Sequence, residues 1–167
     1  MSSGGPDQAE TAGACRLADI VSPEIRSRMM SGIRGRNTRP ELVLRSALHA
    51  RGFRFRLHVR DLPGKPDLVF PKHRAVIQVH GCFWHRHGCK KTTNPSTNSE
   101  FWALKFHQNV ERDVKTEAEL VELGWRFGLV WECALGKEAG MTTIDRVEQF
   151  LLASSTRRFE WPLCLPE

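Results

Sequence analysis

Between positions 53 and 59 apolar and basic residues alternate: Phe53, Phe55, Leu57 and Val59 against Arg54, Arg56, His58 and Arg60. A period of two predicts a half-buried strand with a basic outer face. Upstream, Thr38-Arg39-Pro40-Glu41 fits the S/T-x-x-E capping box with Pro tolerated in the first turn, and Gly52 supplies a stop. Leu44, Ala47 and Leu48 form the apolar face of the helix between them, with Arg45 and Arg51 off to the sides. Glu41 lies three residues before Leu44 and seven before Leu48, so it shares the inward stripe; it is a cap or a site residue, and the two roles are compatible. Leu62-Pro63-Gly64-Lys65-Pro66 is turn chemistry, and 67–70 and 75–79 read as two short strands, the second apolar enough to be central. A long helix is predicted over 99–123, with Trp102, Phe106, Val110, Val114, Ala118 and Val121 at helical spacing and Gly124 as its stop. A strand over 125–131 follows, and Ile144, Val147 and Leu151 mark a final helix. The order α-β-β-β-α-β predicts an α/β (α+β) fold, a mixed sheet flanked by helices.

The chain has 167 residues, 40% hydrophobic and 26% charged, enough for one domain with a core of its own. Its boundaries are predicted as a flexible N-terminal tail over 1–21, a single domain over 22–156 and a C-terminal extension over 157–167. No window approaches the roughly 18 uninterrupted apolar residues of a membrane span, and the N-terminus has no apolar signal-like region. A soluble, cytoplasmic protein is expected. The formal charge of +6 favours an anionic partner. It is concentrated in the first part of the domain: positions 25–40 hold no acidic residue but carry Arg26, Arg28, Arg34, Arg36 and Arg39, with Met29 and Met30 among them. In a basic chain, the 22–40 segment reads as a DNA-gripping arm rather than a solvated charge run. The absence of Tyr excludes any strand-cleaving enzyme with a covalent tyrosyl intermediate.

Candidate chemistry is densest just after the central strand, in His80-Gly81-Cys82-Phe83-Trp84-His85-Arg86-His87-Gly88-Cys89. Zinc takes about four N or S ligands at tetrahedral angles. Cys82, His87 and Cys89 can supply three, and Cys133, past the end of the 125–131 strand, the fourth. A closed site of this kind is structural. Cys15 and Cys164 have no ligand-like neighbours. His80 and His85 are left over as general-base candidates, or as phosphate-contacting histidines. Asp67 opens an otherwise apolar strand, where Asp is disfavoured. Hydrolysis of a phosphodiester needs a hard cation such as Mg²⁺. A carboxylate at the start of one strand, facing a polar residue and a carbonyl of the next, can hold one.

Pro63-Gly64-Lys65-Pro66-Asp67, Val79-His80-Gly81-Cys82-Phe83-Trp84-His85, Asn109-Val110-Glu111-Arg112-Asp113, Leu123-Gly124-Trp125-Arg126 and Val130-Trp131-Glu132-Cys133 closely resemble the very short patch repair endonucleases. The resemblance runs over 22–135. It implies a restriction-endonuclease-like core and a Mg²⁺-dependent endonuclease that nicks one strand of duplex DNA 5′ of the thymine in a T:G mismatch, the product of 5-methylcytosine deamination. Position by position, it implies Asp67 and the Val79 main-chain carbonyl as Mg²⁺ ligands and His85 as the water-activating base. Glu41 and His80 would hold water and phosphate at the metal. Cys82, His87, Cys89 and Cys133 match structural zinc ligands, while Met30, Phe83 and Trp84 match side chains that wedge into the base stack. Wedging costs a few kcal/mol of stacking, least where pairing is already faulty. The partners implied are mismatched double-stranded DNA, mismatch-repair proteins and a repair polymerase; one cleft and one wedge fit a monomer. Two positions depart from the family pattern: Val79 stands where the best-known member has Thr, and Gln78 where related nuclease folds often carry a second carboxylate. The stretches 1–21 and 136–167 have no match.

Overall fold

The computed structural model describes Ile25, Arg28, 35–136 and 140–163. The chain divides into two compact units, Met1–Ile33 and Arg34–Glu167. In the first, Ile25 and Arg28 are helical; Met30 and Cys15 lie outside the described residues, as does Cys164 at the other end.

Helix α1 (Arg39–Ala50) opens as its sequence requires: Glu41 reaches back to the Thr38 N–H at 3.3 Å and hydroxyl at 2.8 Å. Gly52, at φ +89°, turns the chain after it. Strand β1 (Leu68–Phe70) is bracketed by Pro66 and Pro71, which limits it to three residues. A 3-10 turn leads into β2 (Ala75–His80), followed by the one-turn helix α2 (Cys82–His85) and the long α3 (Ser99–Glu122). Then come β3 (Arg126–Trp131), a second 3-10 turn over Glu132–Leu135, α4 (Gly140–Leu152) and β4 (Arg158–Trp161). The sheet runs β1-β2-β3-β4; β1 is antiparallel to β2, while β2, β3 and β4 are mutually parallel.

Helices cover both faces, so the strands are apolar on both. Leu68, Phe70, Ala75, Ile77 and Val130 meet Leu44, Leu48, Ile144, Val147 and Phe150 of α1 and α4. On the other face Val69, Val76, Phe127, Leu129 and Trp131 pack with Cys82 and with Leu120 of α3. Gly128 makes the centre close-fitting, since a Cβ there would lie 3.1 Å from both Ile77 Cγ1 and Phe150 Cε1. No helix among the described residues is long and apolar enough to cross a membrane.

Three expectations are corrected. The alternation at 53–59 does not form a strand: one antiparallel bridge, Arg56 to Val69, is made through paired 2.8 Å hydrogen bonds. The three-residue β1 offers little more to pair with, and His58 turns left-handed at φ +46°. Phe53 and Phe55 instead pack their rings against Phe70. The order is thus α-β-β-α-α-β-α-β, with one expected strand lost. A strand is gained at Arg158–Trp161, inside the stretch expected to be an extension. The third correction concerns α3, which buries Trp102 and Phe106 but then Asn109, Thr116 and Leu120, leaving Val110, Val114, Ala118 and Val121 at the surface. Polar groups take the inward line where the helix passes the site.

Candidate active site and metal centre

The end of β2 and the elements around it gather three clusters, in each of which the potential ligand atoms lie within 4.8 Å of one another. They are Cys82, His87, Cys89 and Cys133; His80, His85 and Asp113; and Glu41, His58 and Asp67.

The first cluster joins α2, the loop after it and the turn after β3. His87 Nδ1 lies 3.7 Å from Cys82 Sγ and 3.4 Å from Cys133 Sγ. A tetrahedral zinc with the usual bond lengths separates its N and S ligands by roughly 3.6 Å. The electrostatics ask for a cation. Burial works against charge at Cys89, yet hydrogen bonds from His87, the Lys91 N–H and the neighbouring thiols hold it down to about 6. Burial pushes Cys82 and Cys133 up. One thiolate forms readily, while burial first and neighbouring thiolate charge second oppose the next two; a bound divalent ion would offset both. The donor set fits zinc.

In the second cluster, His85 Nδ1 forms a very short contact with Asp113 Oδ2, and His80 Nδ1 lies 3.9 Å from the same oxygen. A carboxylate only accepts, so the Asp113 partner nitrogen carries the proton and Nε2 is left as the acceptor of the His85 ring. His80 stacks on His85 with centroids 3.8 Å apart and its edge meets Trp131. Burial first, then His85, drives the His80 pKa down to about 3, so it is neutral. Asn109 Nδ2 donates to the Trp84 carbonyl at 3.0 Å, and Glu132 Oε1 accepts the Cys82 N–H at 3.1 Å, so α2 is held at both ends.

In the third cluster, Asp67 Oδ2 accepts the Val79 N–H at 2.8 Å. In a strand the N–H and C=O of one residue face the same edge, so the Val79 carbonyl belongs to the Asp67 side. Asp67 Oδ1 is 3.8 Å from His58 Nδ1. Burial, followed by the Glu41 charge, raises the Asp67 pKa to about 6 despite Val79, Arg45 and His85. Glu41 is 3% exposed and fully engaged: Oε2 takes Asn37 N–H and Arg45, Oε1 takes Thr38 N–H and hydroxyl. Two carboxylates with a single guanidinium between them are left under-neutralised, and an oxygen-preferring divalent cation fits this corner. Gln78, buried with its Oε1 unpartnered, lies beside Gly64 and Thr116.

All the expected site residues among those described converge here. Sequence reasoning missed Asp113, His58 and Arg45. Asp113 had a signal: it is seven residues from both Phe106 and Leu120, a carboxylate on the buried line of α3. Phe83 and Trp84 project from α2 into rings of Trp102 and Phe106 and remain partly exposed.

The family model described as DNA mismatch endonuclease Vsr matches residues 18–91. The type II nicking enzyme V.XorIIP of Xanthomonas oryzae pv. oryzae is 50% identical over 119 residues, 71% of this chain and 88% of its own. The DNA mismatch endonuclease Vsr of Escherichia coli is 42% identical over 138 residues, 81% of this chain and 88% of its own. The type II nicking enzyme V.NaeI of Lentzea aerocolonigenes is 38% identical over 128 residues, 72% and 75% of the two chains. Matches of this extent, over a histidine–aspartate pair beside a buried carboxylate, are those of a DNA-cutting hydrolase: the chain belongs to the Vsr family of DNA mismatch endonucleases.

Proposed function

We propose that this endonuclease nicks one strand of duplex DNA on the 5′ side of the thymine in a T:G mismatch, starting very short patch repair of deaminated 5-methylcytosine. The cofactors are Mg²⁺ at Asp67 and a structural Zn²⁺ at Cys82, His87, Cys89 and Cys133, and the core is of the restriction-endonuclease type. The observation that carries the reading is His85. Its Nδ1 is committed to Asp113, and it sits on the same one-turn helix as Phe83 and Trp84.

The residues divide the work as follows. Asp67 and the Val79 carbonyl would hold Mg²⁺, which when bound polarises the phosphodiester and lowers the pKa of water. With its main-chain carbonyl as the ligand at position 79, valine there would cost the site little. His85 Nε2 takes the proton of the attacking water, while Asp113 fixes the tautomer and stabilises the imidazolium that forms. His80, neutral and stacked on His85, donates to phosphate without adding charge. Glu41 holds Arg45 in place and makes the corner electronegative enough to favour a cation. Phe83 and Trp84 wedge into the base stack, where a faulty pair resists least; Met30, outside the described residues, takes the same role by resemblance alone.

The test is a nicking assay on labelled duplexes that differ only in T:G or T:A at one position, with Mg²⁺ or with EDTA. A Mg²⁺-dependent nick 5′ of the mismatched thymine alone is expected. Equal cutting of both duplexes would instead favour a sequence-specific nicking enzyme, the reading suggested by the names of the Xanthomonas and Lentzea relatives.

A further inference from the structure

Strand β4 ends against the thiol–imidazole cluster. The Pro162 carbonyl lies 3.0 Å from His87 Nε2. A carbonyl can only accept, so Nε2 carries the ring proton and Nδ1, the nitrogen facing Cys82 and Cys133, has its lone pair free. Metal-bound histidines commonly give their second N–H to such an acceptor, which fixes both tautomer and ring orientation. The ring plane is set as well: Trp131 stacks on His87 at 4.4 Å and 20°. Trp131 is in turn held by β4, its Nε1 donating to Glu160 Oε1 at 2.9 Å. The neighbouring Trp161 is anchored from behind, with Nε1 donating to Thr143 Oγ1 at 3.2 Å and the Arg146 guanidinium 5.1 Å over its ring.

We propose that β4 is a working part of the metal centre: Glu160 and Pro162 present His87 as its Nδ1 ligand form, so that docking of β4 and metal occupancy stabilise each other. This rests on the reading of Cys82, His87, Cys89 and Cys133 as a zinc site. Coupling of two equilibria is reciprocal. Zinc therefore protects β4, and loosening β4 weakens zinc.

The experiment uses the full chain loaded with Zn²⁺ alone and needs no nicking assay. Long-range ¹H–¹⁵N NMR is expected to show His87 metal-bound through Nδ1 with a slowly exchanging Nε2–H. Removing zinc with a chelator is expected to raise hydrogen exchange over 158–163 more than over β1. Trp161→Ala, which removes both anchors next to Pro162, is expected to weaken zinc binding roughly 10–100-fold in chelator competition. Arg51→Ala, which breaks ion pairs to Asp145 and Glu148 on the α1–α4 side, is expected to leave zinc affinity unchanged. A wild-type chain that holds no zinc overturns the metal-site reading and this proposal with it. One zinc per chain combined with Nε2 ligation, with uniform exchange over β1 and β4, or with unaltered affinity in a folded Trp161→Ala chain overturns this proposal alone. If Trp161→Ala does not fold, the NMR and exchange measurements on the wild type decide.

Discussion

Asp67 gives a sharp expectation, because the charge the reaction needs is one the metal-free fold resists. Its side chain is 18% exposed, and burial together with Glu41 lifts its pKa from the usual 3.8 to about 6. The folded chain therefore keeps this proton to a higher pH than the unfolded chain. The penalty is absent below 3.8, grows as the pH rises from 3.8 to about 6, and is complete above that. At ~1.36 kcal/mol per pH unit the full penalty is about 3 kcal/mol. Asp67→Asn removes the charge while its amide oxygen can still accept the Val79 N–H. In EDTA the variant should be more stable than wild type by about 3 kcal/mol at pH 7.5, roughly 6–12 °C in Tm, and by only about 1 kcal/mol at pH 4.5. It should not nick DNA. Adding Mg²⁺ at about 100 times its Kd should return about 2.7 kcal/mol to the wild type alone, nearly closing the gap. Urea unfolding at both pH values, with EDTA and with Mg²⁺, measures all of this. A variant less stable than wild type at pH 7.5, or a gain that does not shrink at pH 4.5, would refute the account of Asp67 as a desolvated, like-charge-strained carboxylate.

Other perturbations reach different parts of the site. Asp113→Ala should lower single-turnover nicking roughly 10²–10⁴-fold with DNA affinity little changed, since His85 loses the group that fixes its tautomer; a near-wild-type rate would remove Asp113 from the chemistry. Gly64→Ala should destabilise by about 2–4 kcal/mol in urea, because φ is +64° and the new Cβ overlaps the Thr116 methyl. Adding Thr116→Ser should recover the overlap but not the backbone strain; full recovery would show the turn to be unstrained. Cys89→Ser should release zinc and lower Tm, as seen in a chelator-coupled thermal scan, whereas unchanged zinc content would displace Cys89 from the ligand set.

Local signals were legible where one segment decided its own fate. The capping box and Gly52 bounded α1, and Ser99 and Gly124 bounded α3 to within a residue. Cys82, His87, Cys89 and Cys133 could be grouped from ligand chemistry before any geometry. Signals failed where a partner decided. Positions 53–59 alternate faultlessly, yet a ladder needs a second strand, and β1 is cut short by two prolines. Arg158-Phe159-Glu160-Trp161 alternates over only four residues, too few to stand out, and becomes a strand because β3 offers it an edge. The valines of α3 have the helical period but lie off the buried line, because Asn109, Asp113 and Thr116 are wanted inside. Arg45 and His58 looked like ordinary basic residues; only the fold shows Arg45 Nη2 reaching both Glu41 and the His58 ring, at 2.5 and 3.1 Å.

Helix α2 is only four residues long, and its residues point in successive directions: Cys82 into the thiol cluster, Phe83 and Trp84 toward the aromatic patch, His85 onto Asp113. On the proposed reading, the part that senses the base stack and the part that takes the proton share a single short turn, held at one end by Glu132 and at the other by Asn109. Any duplex that tilts the aromatic pair also swings the imidazole, and a displacement of about 1 Å is enough to slow a positioned reaction 100-fold. Fidelity would then be a matter of aim, registered in turnover rather than in binding, and no separate checkpoint would have to carry a signal from the wedge to the scissile bond.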